Sequence, residues 1–357
     1  MASPPACGDL FQMKNGTTCT EKWQDLRHRL HPAQAAVGYA AVERKHQSDY
    51  TSEPQAQAKM KQPDSYLPFV LGPKGVPYLV DSHHTISALE VSGHHQVQVT
   101  MKKICDWSHL SLDQFFTAMK DHNFMNGTDR SPDKCLPVPV DVAEAIPSKI
   151  ADLKDDPWRS LAAMVRKVEN KDICPKGQKT CLRGYARECQ SDGQMTPFFE
   201  FRWAHFMNEA FLNGCMSRDT SYWDNLSECR RFQKAYHELL QTNVGKPIKE
   251  QDVKAWQHAA TLLVPLCRGT EAQNYTLPDE LGSPMGGEPL PGVVYGKDTQ
   301  ILHKDPSCAA PKCPELPPMP VPERRDSENF HSSTTGEHTN RIQKVKAKGL
   351  VDPGYRP

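Results

Sequence analysis

Apolar positions in the first half of the chain fall into short runs at strand spacing. Those in the second half fall into longer stretches at helical spacing. From Pro68 to Asp81, two apolar runs flank a Gly72-Pro73-Lys74-Gly75 turn, which predicts a β-hairpin. The run Tyr78-Leu79-Val80 stops at Asp81. Ile86, Ala88, Leu89 and Val91 then predict a helix, with Gly93 as its stop. From His95 to Ile104 the chain alternates, placing Val97, Val99 and Met101 on one face of a half-buried strand. Upstream, Leu26, Leu30, Val37, Tyr39 and Val42 alternate with polar positions until Pro54 and Pro63 break the run.

The later helices have legible starts. Ser111 and Gln114 form a capping box opening Phe115–Lys120. Asp156-Pro157 is an N-cap followed by proline, opening Trp158–Val168, and Thr196-Pro197 does the same for Phe198–Leu212. Phe198, Phe201, Ala204 and Phe211 share a core face, while Cys229–Gln241 and Val253–Leu263 are amphipathic helices. The organisation that follows is an N-terminal extension (1–22) and a main domain (23–215) with a Cys-containing insertion (172–194). A helical addition (216–280) and a Gly/Pro-rich loop with a flexible tail (281–357) complete it.

Charge narrows the function classes. Lys plus Arg and Asp plus Glu number 43 each in 357 residues, so there is no strong nucleic-acid track. Arg341, Lys344, Lys346 and Lys348 make only a loose cluster. This disfavours DNA binding through many phosphates, but not an enzyme that grips a few. No window approaches the ~20 apolar residues of a membrane span, so no membrane partner is expected.

The cysteines are Cys7, Cys19, Cys105, Cys135, Cys174, Cys181, Cys189, Cys215, Cys229, Cys267, Cys308 and Cys313. None forms a C-x-x-C pair, and all are disulfide candidates. Sequons at Asn15, Asn126, Asn225 and Asn274 are glycosylation candidates. Together they point to secretion, although no signal peptide is visible at the N-terminus. The alternative is an intracellular protein with reduced thiols.

The chemistry concentrates between Asp81 and His84, where a strand feeds a helix N-terminus. Exposed N–H groups and the positive end of the helix dipole make such a junction an anion site. Two imidazoles there add proton transfer or metal ligation. His83 and His84 point in different directions, so one faces the pocket while the other packs against a backbone carbonyl. Asp81 reads as an N-cap, as an orienting group for a histidine, or as a holder of a divalent metal, and these roles are compatible. Asp156 and Arg159 read as a structural network in which Arg159 pairs with Asp155 or reaches an anion. Glu200 and Trp203 lie where they can line a pocket, and His94 and His95 sit at a helix stop.

Several segments in fixed order resemble the ParB-like nuclease family of the ParB/sulfiredoxin-fold superfamily. They are His31-Pro32 with Gln34, then Val37-Gly38 with Val42 and Lys45, then Tyr78-Leu79-Val80-Asp81 with His83-His84 and Ala88-Leu89. Asp106-Trp107-Ser108 with Leu110-Ser111 follows, then Asp155 through Ala162, then Phe199-Glu200-Phe201 with Trp203-Ala204. The resemblance implies an α+β fold whose strand–helix loop cradles phosphates, with Cys-rich helical additions outside it. It implies substrate contacts at Lys45, Ser82 and Arg159, and in the superfamily's kinases Glu43 is the local match to a catalytic glutamate.

Sulfiredoxins carry a nucleophilic cysteine where Ser82 stands, and no helix-turn-helix DNA reader follows, so neither of those activities is expected. The reading is a secreted enzyme acting on phosphoesters with nuclease-like hydrolysis, using His83, His84 and Asp81 on a small-molecule or phosphate-containing substrate. The alternatives are a different small-molecule chemistry, a phosphotransferase of the free-serine-kinase type, and a non-catalytic anion binder.

Overall fold

The hairpin between Pro68 and Asp81 lies at the heart of the main sheet. The computed structural model describes residues 4–63, 65–126, 128–129, 138–139, 146–166, 168, 198–212, 226–268, 270–277, 289–290, 312–314 and 316. The chain divides into a unit from Met1 to Glu315 and a second, Leu316–Pro357. The fold is mixed α+β.

Strands β1 (Thr18–Lys22), β2 (His31–Pro32), β4 (Tyr66–Leu71), β5 (Pro77–Leu79) and β6 (Gln98–Asp106) form a five-stranded sheet ordered β1-β6-β4-β5-β2. The pairings β4–β5 and β1–β6 are antiparallel, while β4–β6 and β2–β5 are parallel. Five of the six residues of β4 are buried, as expected for a strand with a neighbour on each side. Pro68 cannot donate to the ladder, and a register shift falls next to it at Phe69/Val70. Residues 18–22, assigned from sequence to an extension, form an edge of this sheet.

Three elements differ from the sequence pattern. Trp23–Leu26 (α1) and Tyr39–Asp49 (α2) are helices rather than alternating segments. Only Ala40, Ala41, Val42 and Glu43 of α2 are buried, a stretch too short to display a helical period. Pro54 opens Glu53–Met60 (α3) from its first turn instead of breaking the run.

Helix α4 (His83–Ser92) ends at Gly93 in the left-handed conformation. Its far end is pinned by Glu90, which accepts from Trp23 Nε1 at 2.8 Å and pairs with Arg27. The Ser111 capping box opens α5 (Leu112–Asp121). Two further strand pairs are β7 (Thr128–Asp129) with β8 (Val138–Pro139), and β3 (Ala36–Val37) with β9 (Lys154–Asp155). Behind β9, Asp156 Oδ1 accepts from Arg159 N at 3.0 Å and starts α6 (Pro157–Val165), which is buried along its whole length.

Helix α7 (Phe199–Glu209) starts after a left-handed Phe198, and the expected Thr196-Pro197 cap lies outside the described residues. Helices α8 (Leu226–Thr242), α9 (Val253–Arg268) and α10 (Thr270–Asn274) follow. Two cores result. Trp23, Leu26, Phe69, Leu79, Ile86 and Val99 fill the sheet side. Trp158, Leu161, Trp203, Phe206, Phe232 and Trp256 fill the helical side, where Ala204 and Phe211 are buried as their spacing implied, while Phe201 is buried in a small separate cluster and Phe198 is half-buried against it.

Cys7 bonds Cys19 and Cys105 bonds Cys313. Cys229 is also disulfide-bonded. Cys267 departs from the candidate set: it is a free, fully buried thiol whose pKa burial pushes up. Cys135, Cys174, Cys181, Cys189, Cys215 and Cys308 lie outside the described residues. So do the 172–194 insertion and most of the segment from 281 onward, although Cys313 there is tied to β6. Asn15 and Asn274 are exposed, and Asn225 is outside the described residues. Asn126 is 5% exposed, and its backbone N–H donates to Ala33 O. Among the described residues no helix is long and apolar enough to cross a membrane.

Candidate active site

The strand–helix junction is built on strained backbone. Ser82 precedes α4 at φ 70°, a left-handed conformation uncommon for a residue with a Cβ. Ser82, not Asp81, holds the N-cap position, and its side chain caps nothing. Its hydroxyl lies 3.5 Å from Tyr66 O, and Asp81 is half-buried just before it.

The two histidines have different surroundings. His83 is interior: Nε2 accepts from Ala33 N at 3.1 Å, tying α4 to the strand end at β2. Burial, then the charge of Arg159, lowers its pKa to about 3, against a backbone hydrogen bond at Leu79. It is a neutral histidine holding the junction together.

His84 faces α2, α6 and α7. Its Nε2 accepts from Gly38 N at 3.3 Å, which requires the ring proton on Nδ1, whereas Arg159 Nη2, a donor only, faces that same nitrogen. Nδ1 lies 3.8 Å from Glu200 Oε2 and 3.4 Å from Arg159 Nη2. Burial and the Arg159 guanidinium hold its pKa well below the usual histidine range, with Glu200 pulling the other way. Gly38 makes this approach possible, since a Cβ there would stand 2.5 Å from Ser160 N at the start of α6.

Cations surround this ring. Arg159, 5% exposed, donates to Gln34 Oε1 at 3.2 Å and Ala36 O at 3.5 Å, pairs with Glu200 at 3.5 Å, and stacks on Phe201. It does not pair with Asp155, whose Oδ1 accepts from Tyr39 N at 2.9 Å and so caps α2. Burial raises the pKa of Asp155 to about 7. Arg166, one heptad beyond Arg159, donates to Glu200 Oε1 at 3.1 Å. Lys45 Nζ donates to Thr85 Oγ1 at 3.1 Å on the first turn of α4, and burial lowers its pKa to about 8. Arg44, its neighbour on α2, feels the charges of Arg166 and Glu200.

Glu43 and Lys45 therefore stand on a helix rather than on an extended segment. Glu43 is engaged elsewhere, with His46 at 3.2 Å and Gln47 at 2.9 Å. The junction brings His84, Lys45 and Arg159 together, and adds Arg44, Arg166 and Glu200, of which the sequence singled out only Glu200. The Arg159–Arg166 spacing of seven was the available signal for Arg166. Among the described residues no group of three or more His, Cys, Asp or Glu is placed to hold a metal ion, so an Asp81–histidine metal site would need ligands from outside them.

Residues 26–174 match the family described as putative ParB-like nuclease. The match supports the likeness to that family that the ordered segments up to residue 174 implied. No curated protein matches the chain. Among solved structures, the crystal structure of protein Atu1540 from Agrobacterium tumefaciens is similar at 23% identity and a TM-score of 0.47, over 80% of this chain and 100% of that one.

Proposed function

We propose that the chain is a secreted phosphoester hydrolase in which His84 is the general base. One observation carries the reading. Among the described residues, Arg159 and Lys45 bear on the neutral imidazole of His84, and Arg44, Lys45, Arg159 and Arg166 all bear on Glu200, with Asp49 near Arg44 and Lys45 already paired to Lys59. Such an excess of fixed positive charge at a helix N-terminus suits a phosphate group.

In this mechanism the phosphoryl oxygens take the Lys45 ammonium, the guanidinium groups and the first turn of α4. His84 Nε2 exchanges its long contact with Gly38 N–H for a water molecule and removes its proton as the water oxygen attacks phosphorus. The bond from phosphorus to the leaving alcohol oxygen breaks, and the proton passes to that oxygen. Glu200 holds the Nδ1–H side and stabilises the imidazolium while it exists. His83 supports the loop without exchanging protons. The disulfides support export to an oxidising compartment.

A screen of phosphomonoesters and phosphodiesters, with and without divalent metals, tests the reading. Turnover of at least one, falling about 10²–10⁴-fold in His84→Gln, is expected. Absence of turnover on every phosphoester rejects it. Because Gly38 N–H already occupies the Nε2 lone pair, a second reading is an anion binder without turnover. Under that reading phosphate esters bind unchanged and His84→Gln alters no chemistry.

A further inference from the structure

We infer that the site selects phosphate monoester dianions over diester monoanions, and that Arg44 determines this specificity. The inference rests on the anion site proposed above and names its substrate class.

Arg44 differs from the other cations of the cluster. Arg159 and Arg166 already share Glu200, and Lys45 already has Thr85. Arg44 has no hydrogen-bond acceptor among the described residues, and its Nε is buried there without a partner. Its carboxylate neighbours are committed, because Asp49 pairs with Lys59 at 3.7 Å and Glu200 with the two other arginines. Arg159, nine-tenths buried, likewise keeps a buried Nε with no acceptor among the described residues. Leaving buried guanidinium N–H groups unmatched is costly, so the site is built around acceptors that come with the ligand.

Charge and geometry then separate the two ester classes. Among the described residues, Arg44, Lys45, Arg159 and Arg166 face Glu200, and Asp49 beside Arg44 and Lys45 is paired with Lys59, so a dianion neutralises the cluster further than a monoanion does. A terminal phosphate offers three anionic oxygens, whereas a diester offers two and a second bulky substituent. Above its second pKa near 6 the terminal phosphate carries close to two charges. The third oxygen is the one assigned to Arg44, the only member of the four with no acceptor among the described residues.

The test is calorimetric titration of the full-length oxidised protein at pH 8 with phenylphosphonate, a dianion with an unhydrolysable P–C bond, and with its monomethyl ester, a monoanion. Wild-type protein is expected to bind the dianion at least about tenfold more tightly. Arg44→Gln should weaken the dianion about tenfold while leaving the monoanion within about twofold, and Arg44→Lys should fall between. Thermal unfolding without ligand checks the fold. If Arg44→Gln does not fold, Arg44→Lys must still lower the dianion preference several-fold. Equal affinity for the two ligands in wild-type protein, or an Arg44 change that weakens both equally or neither, overturns this inference and leaves the hydrolase reading standing. If neither ligand binds, both fall.

Discussion

At His84 the protonation state is set by neighbours rather than by the ring. Burial, Arg159, Lys45 and His83 all oppose a charge there, and only Glu200 favours it. The ring is therefore neutral below the pH at which an ordinary histidine protonates, and it remains a competent base in mild acid. The acid limb of kcat/KM is expected below pH 6.5, and a limb at or above 6.5 would assign the base elsewhere. The two adjacent histidines should also part in their variants. His84→Gln should lose turnover, whereas His83→Gln should keep most of it and lower the unfolding midpoint, because a buried ring is lost and Ala33 N–H keeps only its bond to Leu79 O.

Asp155 gives an independent residue-scale prediction. Its folded pKa, about 7, lies above the usual carboxylate value, so between pH 4 and 7 the native state binds the extra proton. Stability then declines as pH rises through this window. Asp155→Asn keeps the carbonyl that accepts from Tyr39 N and removes the buried charge. Its Tm is expected to exceed wild type at pH 8 and to approach it near pH 4. Parallel Tm curves for the two proteins would reject this assignment.

At the scale of elements, the site depends on how closely α2 and α6 approach. Ala40 N donates to Ser160 Oγ at 3.1 Å beside the Gly38 contact, and Asp156 N donates to Val37 O at 3.0 Å. Gly38→Ala forces a methyl group against Ser160 backbone and should cost about 1–3 kcal/mol in denaturant unfolding. It should also reduce activity, because the N–H facing His84 must move. A variant as stable and active as wild type would show that the helices are free to separate.

The same element scale shows what was legible in the sequence. The hairpin, α4 with its Gly93 stop, the Ser111 capping box and the Asp156 cap are local signals, each made by neighbouring residues. Helix α2 was not legible because only four consecutive residues of it are buried, and α3 was read as a break because Pro54 marks either a stop or a start. Half of the site was legible through the Asp81–His84 junction. Arg44, Arg166 and the ion pairing of Glu200 were not, because tertiary packing alone brings α2, α6 and α7 to one imidazole.

At the scale of the whole molecule, the long-range staple is Cys105–Cys313. It joins β6 to a residue 208 positions later, in a region whose composition alone reads as tail. Cross-linking across so long a loop restricts the unfolded chain, and native disulfides typically contribute about 2–4 kcal/mol. Two truncations separate the staple from the chain beyond it. Ending the protein after Glu315 keeps Cys313 and removes only Leu316–Pro357, a Pro-rich polar segment, so stability and turnover are expected to stay nearly unchanged. Ending it after Pro311 removes the staple and should lower the unfolding midpoint measurably under oxidising conditions. Under reducing conditions the difference between the two truncations should disappear, because neither protein then carries the bond. Mass spectrometry of alkylated protein provides the check on chemistry: Cys7, Cys19, Cys105 and Cys313 should become reactive only after reduction. Cys267 should need unfolding but no reductant, since it is a buried free thiol. If Cys105 and Cys313 alkylate without reductant, the staple is absent in solution and the argument for an oxidising compartment loses its structural support.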